Sequence, residues 1–94
     1  MQLPIRVDPK GDVTLQRQLS DEIRRLISDG TLLPGTHMPS TRRLADQVKV
    51  ARNTVVIAYD RLISEGYLEA RAAQATFVCQ RLPHHYNPVS AFQI

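Results

Sequence analysis

A chain of 94 residues, 43% hydrophobic and 22% charged, is sized for one small globular domain and is too apolar for wholesale disorder. No apolar run approaches the roughly 20 residues that cross a bilayer, and the N-terminal MQLPIRVDPKGD lacks a signal-peptide core, so no membrane partner is expected. The single cysteine, Cys79, cannot form an internal disulfide, which suits a reducing, cytoplasmic setting. The net charge of +3 is mild but concentrated. Between positions 42 and 52, Arg42, Arg43, Lys49 and Arg52 face only Asp46, a local excess equal to the whole net charge. Such clustering is the footprint expected for an anionic partner; a merely solvated helix face is the alternative.

Residues 1–13, with Pro4, Pro9 and Gly11, read as an extended lead-in. Thr14 then caps a helix expected from Leu15 to Asp29, whose apolar stripe is Leu15, Leu19, Ile23, Leu26 and Ile27. Gly30 is placed to end it. The connector TLLPGTHMP carries a Pro34-Gly35 turn and an apolar plug, Met38. Ser40 is the natural N-cap of a second helix over Thr41 to Val48, with Leu44, Ala45 and Val48 inward. A break at Lys49-Val50-Ala51 leads to a third helix, Arg52 to Glu65, striped by Val55, Tyr59 and Leu62, with Val56 and Ile63 alongside, and ended by Gly66. YLEAR, AAQA and TFVC follow as a hairpin with Leu68, Ala70 and Phe77 as candidates for its buried face. From Gln80, residues 80–94 show no periodicity and read as a linker or disordered tail. The implied fold is mainly α with a small β-hairpin: a winged helix-turn-helix over residues 14–79.

In a helix-turn-helix the second helix enters the major groove by its N-terminal residues, while the first crosses the phosphate backbone. The apolar stripe from Val55 onward would anchor helix 52–65 and present Arg52, Asn53 and Thr54 outward. Arginine can contact guanine bidentately, asparagine can do the same with adenine, and threonine offers a hydroxyl or a methyl to thymine. Capping of the helix start is the bland role for Asn53 and Thr54, but it leaves Arg52 unexplained. Ser40 and Thr41, at a helix N-terminus, suit a phosphate. Arg42 and Arg43 point about 100° apart and cannot share one task, so one reaches DNA and the other solvent. Arg71 and Gln74 near the wing tip, with Thr76 beside them, are the candidates for wing contacts, against a bland reading of Arg71 as a solvated charge.

The stretch LPGTHMPSTRRLADQVKVARNTVVIAYDRLISEGYLEARAAQATFV resembles the winged-helix domain of the GntR family of bacterial transcription regulators. RNTVVIAYDRLISEGYLEAR is most similar to the MocR-like branch. The resemblance covers about Leu15 to Val78 and implies a dimeric regulator that binds operator half-sites. It puts Arg42 where the family uses an arginine on base or phosphate, and Arg52, Asn53 and Thr54 on the operator-reading tip. Lys49 and Tyr59 join Ser40 and Thr41 as backbone contacts. Four departures stand out. Lys49 replaces the usual glycine of the turn, and Ala51 replaces a capping serine or threonine. AAQA replaces a glycine-rich wing tip, and Ile57 replaces a residue that is often polar. Lys49 could compensate as an extra phosphate ligand.

GntR regulators also carry an effector domain, which in the MocR-like branch resembles an aminotransferase holding pyridoxal phosphate. Residues 80–94 are too few to build one, so no cofactor is expected in this chain; a naturally short regulator, dimerising through the first helix, is the alternative. The only lysines, Lys10 and Lys49, fall in the lead-in and the turn, unsuited to an aldimine. Enzyme activity is not expected, since Ser40, His37 and Asp46 lack a pocket to orient them as a triad. Cys79, His84 and His85 match no common zinc spacing, so no metal site is expected. The rival reading is a winged helix that binds protein, or DNA without sequence preference.

Overall fold

Three helices and a hairpin form the frame: α1 Leu15–Ser28, α2 Thr41–Val48, α3 Arg52–Glu65, β1 Leu68–Arg71 and β2 Ala75–Val78. The computed structural model describes residues 3–71 and 75–80. Helix α1 starts where the Thr14 hydroxyl accepts the Arg17 N–H at 3.3 Å. Leu19, Ile23, Leu26 and Ile27 are buried along one face, packed chiefly on α3. Each such side chain contributes on the order of 1.5–3 kcal/mol by leaving water. Ser20 sits among them, its hydroxyl donating to the Arg17 carbonyl at 3.0 Å.

Helix α2 is capped by Ser40, whose hydroxyl accepts the Arg43 N–H at 3.1 Å, and it buries Leu44 and Ala45. Helix α3 buries Val55, Ala58, Tyr59 and Leu62. It stops at Gly66, where φ is 89° and the amides of Gly66 and Tyr67 return to the carbonyls of Ile63 and Leu62. Only glycine enters that left-handed conformation without steric cost. At the far end of α3, Arg24 of α1 holds Glu65 through two contacts of 3.2 and 2.8 Å and lies 5.6 Å from the Tyr67 ring centre. Burial works against the charged guanidinium, but hydrogen bonds to Asp21 and Glu65 outweigh it and raise its pKa.

The hairpin is antiparallel, with Leu68 opposite Val78, Glu69 opposite Phe77 and Ala70 opposite Thr76. That register corrects the expected buried face. Leu68 and Val78 are the buried pair, Ala70 is exposed, and Phe77 projects from the other side with Glu69. A third strand-like edge, unforeseen in the sequence, lies along β2. Met38 N–H donates to Thr76 O at 2.8 Å, Val78 N–H to Thr36 O at 2.8 Å and Gly35 N–H to Val78 O at 2.9 Å. The turn before it closes through Thr36 N–H and Leu33 O at 3.1 Å, with Gly35 at φ 86° after Pro34.

The lead-in is packed and not merely extended. Leu3 and Ile5 are buried, and the Leu3 amide donates to Gln47 Oε1 at 3.3 Å, tying the lead-in to α2. No helix among the described residues is long and apolar enough to cross a membrane. Among them no cluster of His, Cys, Asp or Glu is placed to hold a metal, and His84 and His85 lie outside them.

Candidate nucleic-acid interface

The turn between α2 and α3 is built on Lys49, which takes φ 66° and ψ 46°, a left-handed conformation unusual for a side chain with a Cβ. The amides of Lys49 and Val50 both return to the Ala45 carbonyl, at 2.8 and 3.1 Å. The turn thus does without glycine at the expense of local strain. The Lys49 side chain is exposed, with no ion pair among the described residues.

Helix α3 then begins at Ala51 without a side-chain cap. Capping by the Ala51 side chain is therefore lost, as its sequence implied, while the Thr54 amide returns to the Ala51 carbonyl at 3.0 Å. Arg52 and Asn53 are exposed, Thr54 is half-buried and Val55 is fully buried. Within four residues the chain passes from solvent to core, so the buried turns of α3 hold the tip in place. Arg52 Nε also donates to Thr41 Oγ1 at 3.3 Å, joining the start of α3 to the start of α2.

Tyr59 is a correction. Its expected place is on the DNA backbone, yet only 3% of it is exposed and its hydroxyl donates to the Pro39 carbonyl at 2.7 Å. Burial raises its phenol pKa, keeping it neutral. Its spacing, four residues after Val55, is that of the core face. Tyr59 fixes the entry into α2, and with it Ser40 and Thr41, from inside the domain.

Between the tip and the wing runs an open groove of about 870 Å³, bordered by Ser40, Thr41, Arg43, Arg52, Val56 and Thr76. Of the two adjacent arginines, Arg43 lines this groove; Arg42 is exposed but does not border it. The sequence showed that the two must diverge and could not say which faces the wing. On the wing, Arg71 pairs with Glu69 at 2.6 Å and covers the Phe77 ring at 4.2 Å. His37 stacks on that ring, with centroids 4.7 Å apart and an interplanar angle of 18°, and also borders the groove. His37 was not singled out for the interface by its spacing, and Arg43 only as one of two adjacent arginines of which one would reach DNA. Thr76 reaches the groove, while Gln74 lies outside the described residues.

An exposed, cationic helix tip backed by a core, with an adjoining groove and a wing, defines a winged helix-turn-helix domain. The chain matches the family of bacterial regulatory proteins known as the gntR family over residues 15–78, and it belongs to that family. It is 41% identical over 87 residues to the pyridoxine biosynthesis transcriptional regulator PdxR of Corynebacterium glutamicum, covering 93% of this chain and 19% of that protein. It is 42% identical over 77 residues to the probable rhizopine catabolism regulatory protein MocR of Rhizobium meliloti, covering 82% and 16%. This chain thus spans less than a fifth of the length of either relative. The fold is shared with YtrA of Sulfolobus acidocaldarius, a GntR-family transcription factor, at a TM-score of 0.79, 32% identity and coverage of 83% and 82%. It is also shared with the DNA-binding domain of AraR in complex with operator ORX1, at a TM-score of 0.68, 29% identity and coverage of 84% and 92%. The likeness to PdxR and MocR supports the MocR-like resemblance, and both relatives are regulatory proteins.

Proposed function

We propose that this domain reads operator DNA for a bacterial transcription regulator. Helix α3 would lie in the major groove and α2 on the phosphates. The observation that carries the reading is the abrupt passage from exposed Arg52 and Asn53 to fully buried Val55, which presents two base-reading side chains on a rigid mount. Arg52, Asn53 and Thr54 are assigned to bases, together with Arg42. Ser40, Thr41 and Lys49 are assigned to phosphates, and the groove adds Arg43 to this set, so both adjacent arginines are assigned to DNA by different routes, where the sequence left one of them to solvent. Thr76, Arg71 and Gln74 belong to the wing, although the Glu69 pair and the Phe77 ring engage Arg71 on the strand.

The working protein on this reading is a cytoplasmic homodimer, paired in full length or on DNA, with residues 80–94 leading to an effector domain. If that domain is aminotransferase-like, pyridoxal phosphate belongs to it and not to this chain. The test is selection from a randomised duplex library at near-physiological salt. Enrichment of paired half-sites about one helical turn apart supports sequence reading by a dimer. A single enriched half-site supports reading by one domain. No enrichment removes Arg52 and Asn53 as base contacts and favours the rival, protein binding, for which exposed Ile57 is the supporting feature.

A further inference from the structure

We propose that Ile57 is a specificity-determining residue that contacts the 5-methyl group of a thymine. This rests on the DNA-reading function above and names part of its target. The core face of α3 is set by Val55, Ala58, Tyr59 and Leu62. At about 100° per residue, the opposite face carries Asn53, Ile57 and Asp60. Ile57 is 40% exposed, while Val56 is half-buried and borders the groove beside Arg52. The outward face therefore runs from a polar first turn to an apolar second turn.

Asp60, exposed at the next outward position, places a negative charge where a phosphate would be repelled, so the reading surface ends before it. Ile57 stands about 6 Å beyond Asn53 along the helix, comparable to two base-pair steps. Isoleucine can neither donate nor accept a hydrogen bond. Among the groups displayed in the major groove, the thymine methyl is the one it complements.

The experiment takes the duplex enriched from the randomised library and replaces each thymine singly by uracil, which removes the methyl and keeps the pairing. Binding is measured for the wild-type chain and for Ile57→Ala, with Ile57→Val as a shape-preserving control and thermal melts to verify folding. Uracil at one or two positions should weaken wild-type binding about fourfold, the loss of one apolar carbon contact. The same uracil should cost Ile57→Ala nothing further, and Ile57→Val should behave as the wild type. An enriched duplex that tolerates uracil everywhere, or a uracil loss identical in Ile57→Ala, overturns the Ile57 assignment and leaves sequence reading intact. No enriched duplex at all overturns both.

Discussion

Replacing Lys49 by glycine should make the domain more stable and its DNA binding less salt-dependent. Lys49 occupies φ 66° and ψ 46°. A residue with a Cβ in that conformation costs on the order of 1–2 kcal/mol. Glycine avoids this, but it loses roughly 0.5–1 kcal/mol more entropy on ordering. The difference leaves a gain of about 0.5–1 kcal/mol, or roughly 2–8 °C in melting temperature for a domain of this size. No ion pair among the described residues is sacrificed, because the ammonium has none. Lys49→Ala removes the same charge and keeps the left-handed strain, so its melting temperature should stay near the wild type. Both variants should lower the slope of log affinity against log salt by about one. Circular-dichroism melts and a salt titration on one duplex separate the effects. A glycine variant that melts lower than Lys49→Ala would refute the strain argument. An unchanged slope in both would place Lys49 away from phosphate.

Arg52→Ala should cost about 1–3 kcal/mol on the selected duplex and little on random DNA, and equal losses on both in a binding titration would make Arg52 a phosphate ligand only. Arg43→Ala, compared with Arg42→Ala, should reduce the salt slope if the groove holds phosphate; a response confined to Arg42 would mean that the groove-facing arginine does not touch DNA. Tyr59→Phe should lower stability by ~1–2 kcal/mol, since the Pro39 carbonyl loses its donor, and a denaturant titration at pH 7 reads this directly. The phenol's folded pKa is raised, so the neutral form is favoured in the fold. Stability from this source is complete below the ordinary phenol value of about 10 and is lost as pH climbs above it, by up to about 1.4 kcal/mol per pH unit. Tyr59→Phe should flatten that alkaline loss in melts followed above pH 10, and an unchanged profile would assign it to another group.

Helix positions were legible because each helix carries a stripe at helical spacing and a punctuating residue: Thr14, Ser40 and Gly66 act where their chemistry implies. The wing face was not legible. Its candidate apolar residues, Leu68, Ala70 and Phe77, cannot share a face once Leu68 pairs with Val78, and that register depends on the connection between the strands. The edge formed by Thr36 to Met38 escaped because its bonds to β2 join residues some forty positions apart and leave no local pattern. Tyr59 has an aromatic body and a polar tip, so its type fits an interface as well as a core. Its spacing with Val55 and Leu62 favours the core, and its burial and the bond to the Pro39 carbonyl at 2.7 Å settle it.

On the proposed reading, helix α3 separates stability from recognition by face and by turn. Truncating a buried leucine such as Leu62 should cost about 2–5 kcal/mol, a large part of what so small a domain can have. At the tip, by contrast, Arg52 makes one exposed bond of 3.3 Å to Thr41, and Ala51 contributes no side-chain cap. Changes there have little stability to lose. The departures at Ala51 and Ile57 fall on this permissive surface, where the target can change without endangering the fold. Lys49 is the exception, since its strain acts on the turn that sets the angle between α2 and α3. A lysine standing there despite that strain is better explained by its charge than by its backbone, which is why the glycine and alanine variants belong in one experiment.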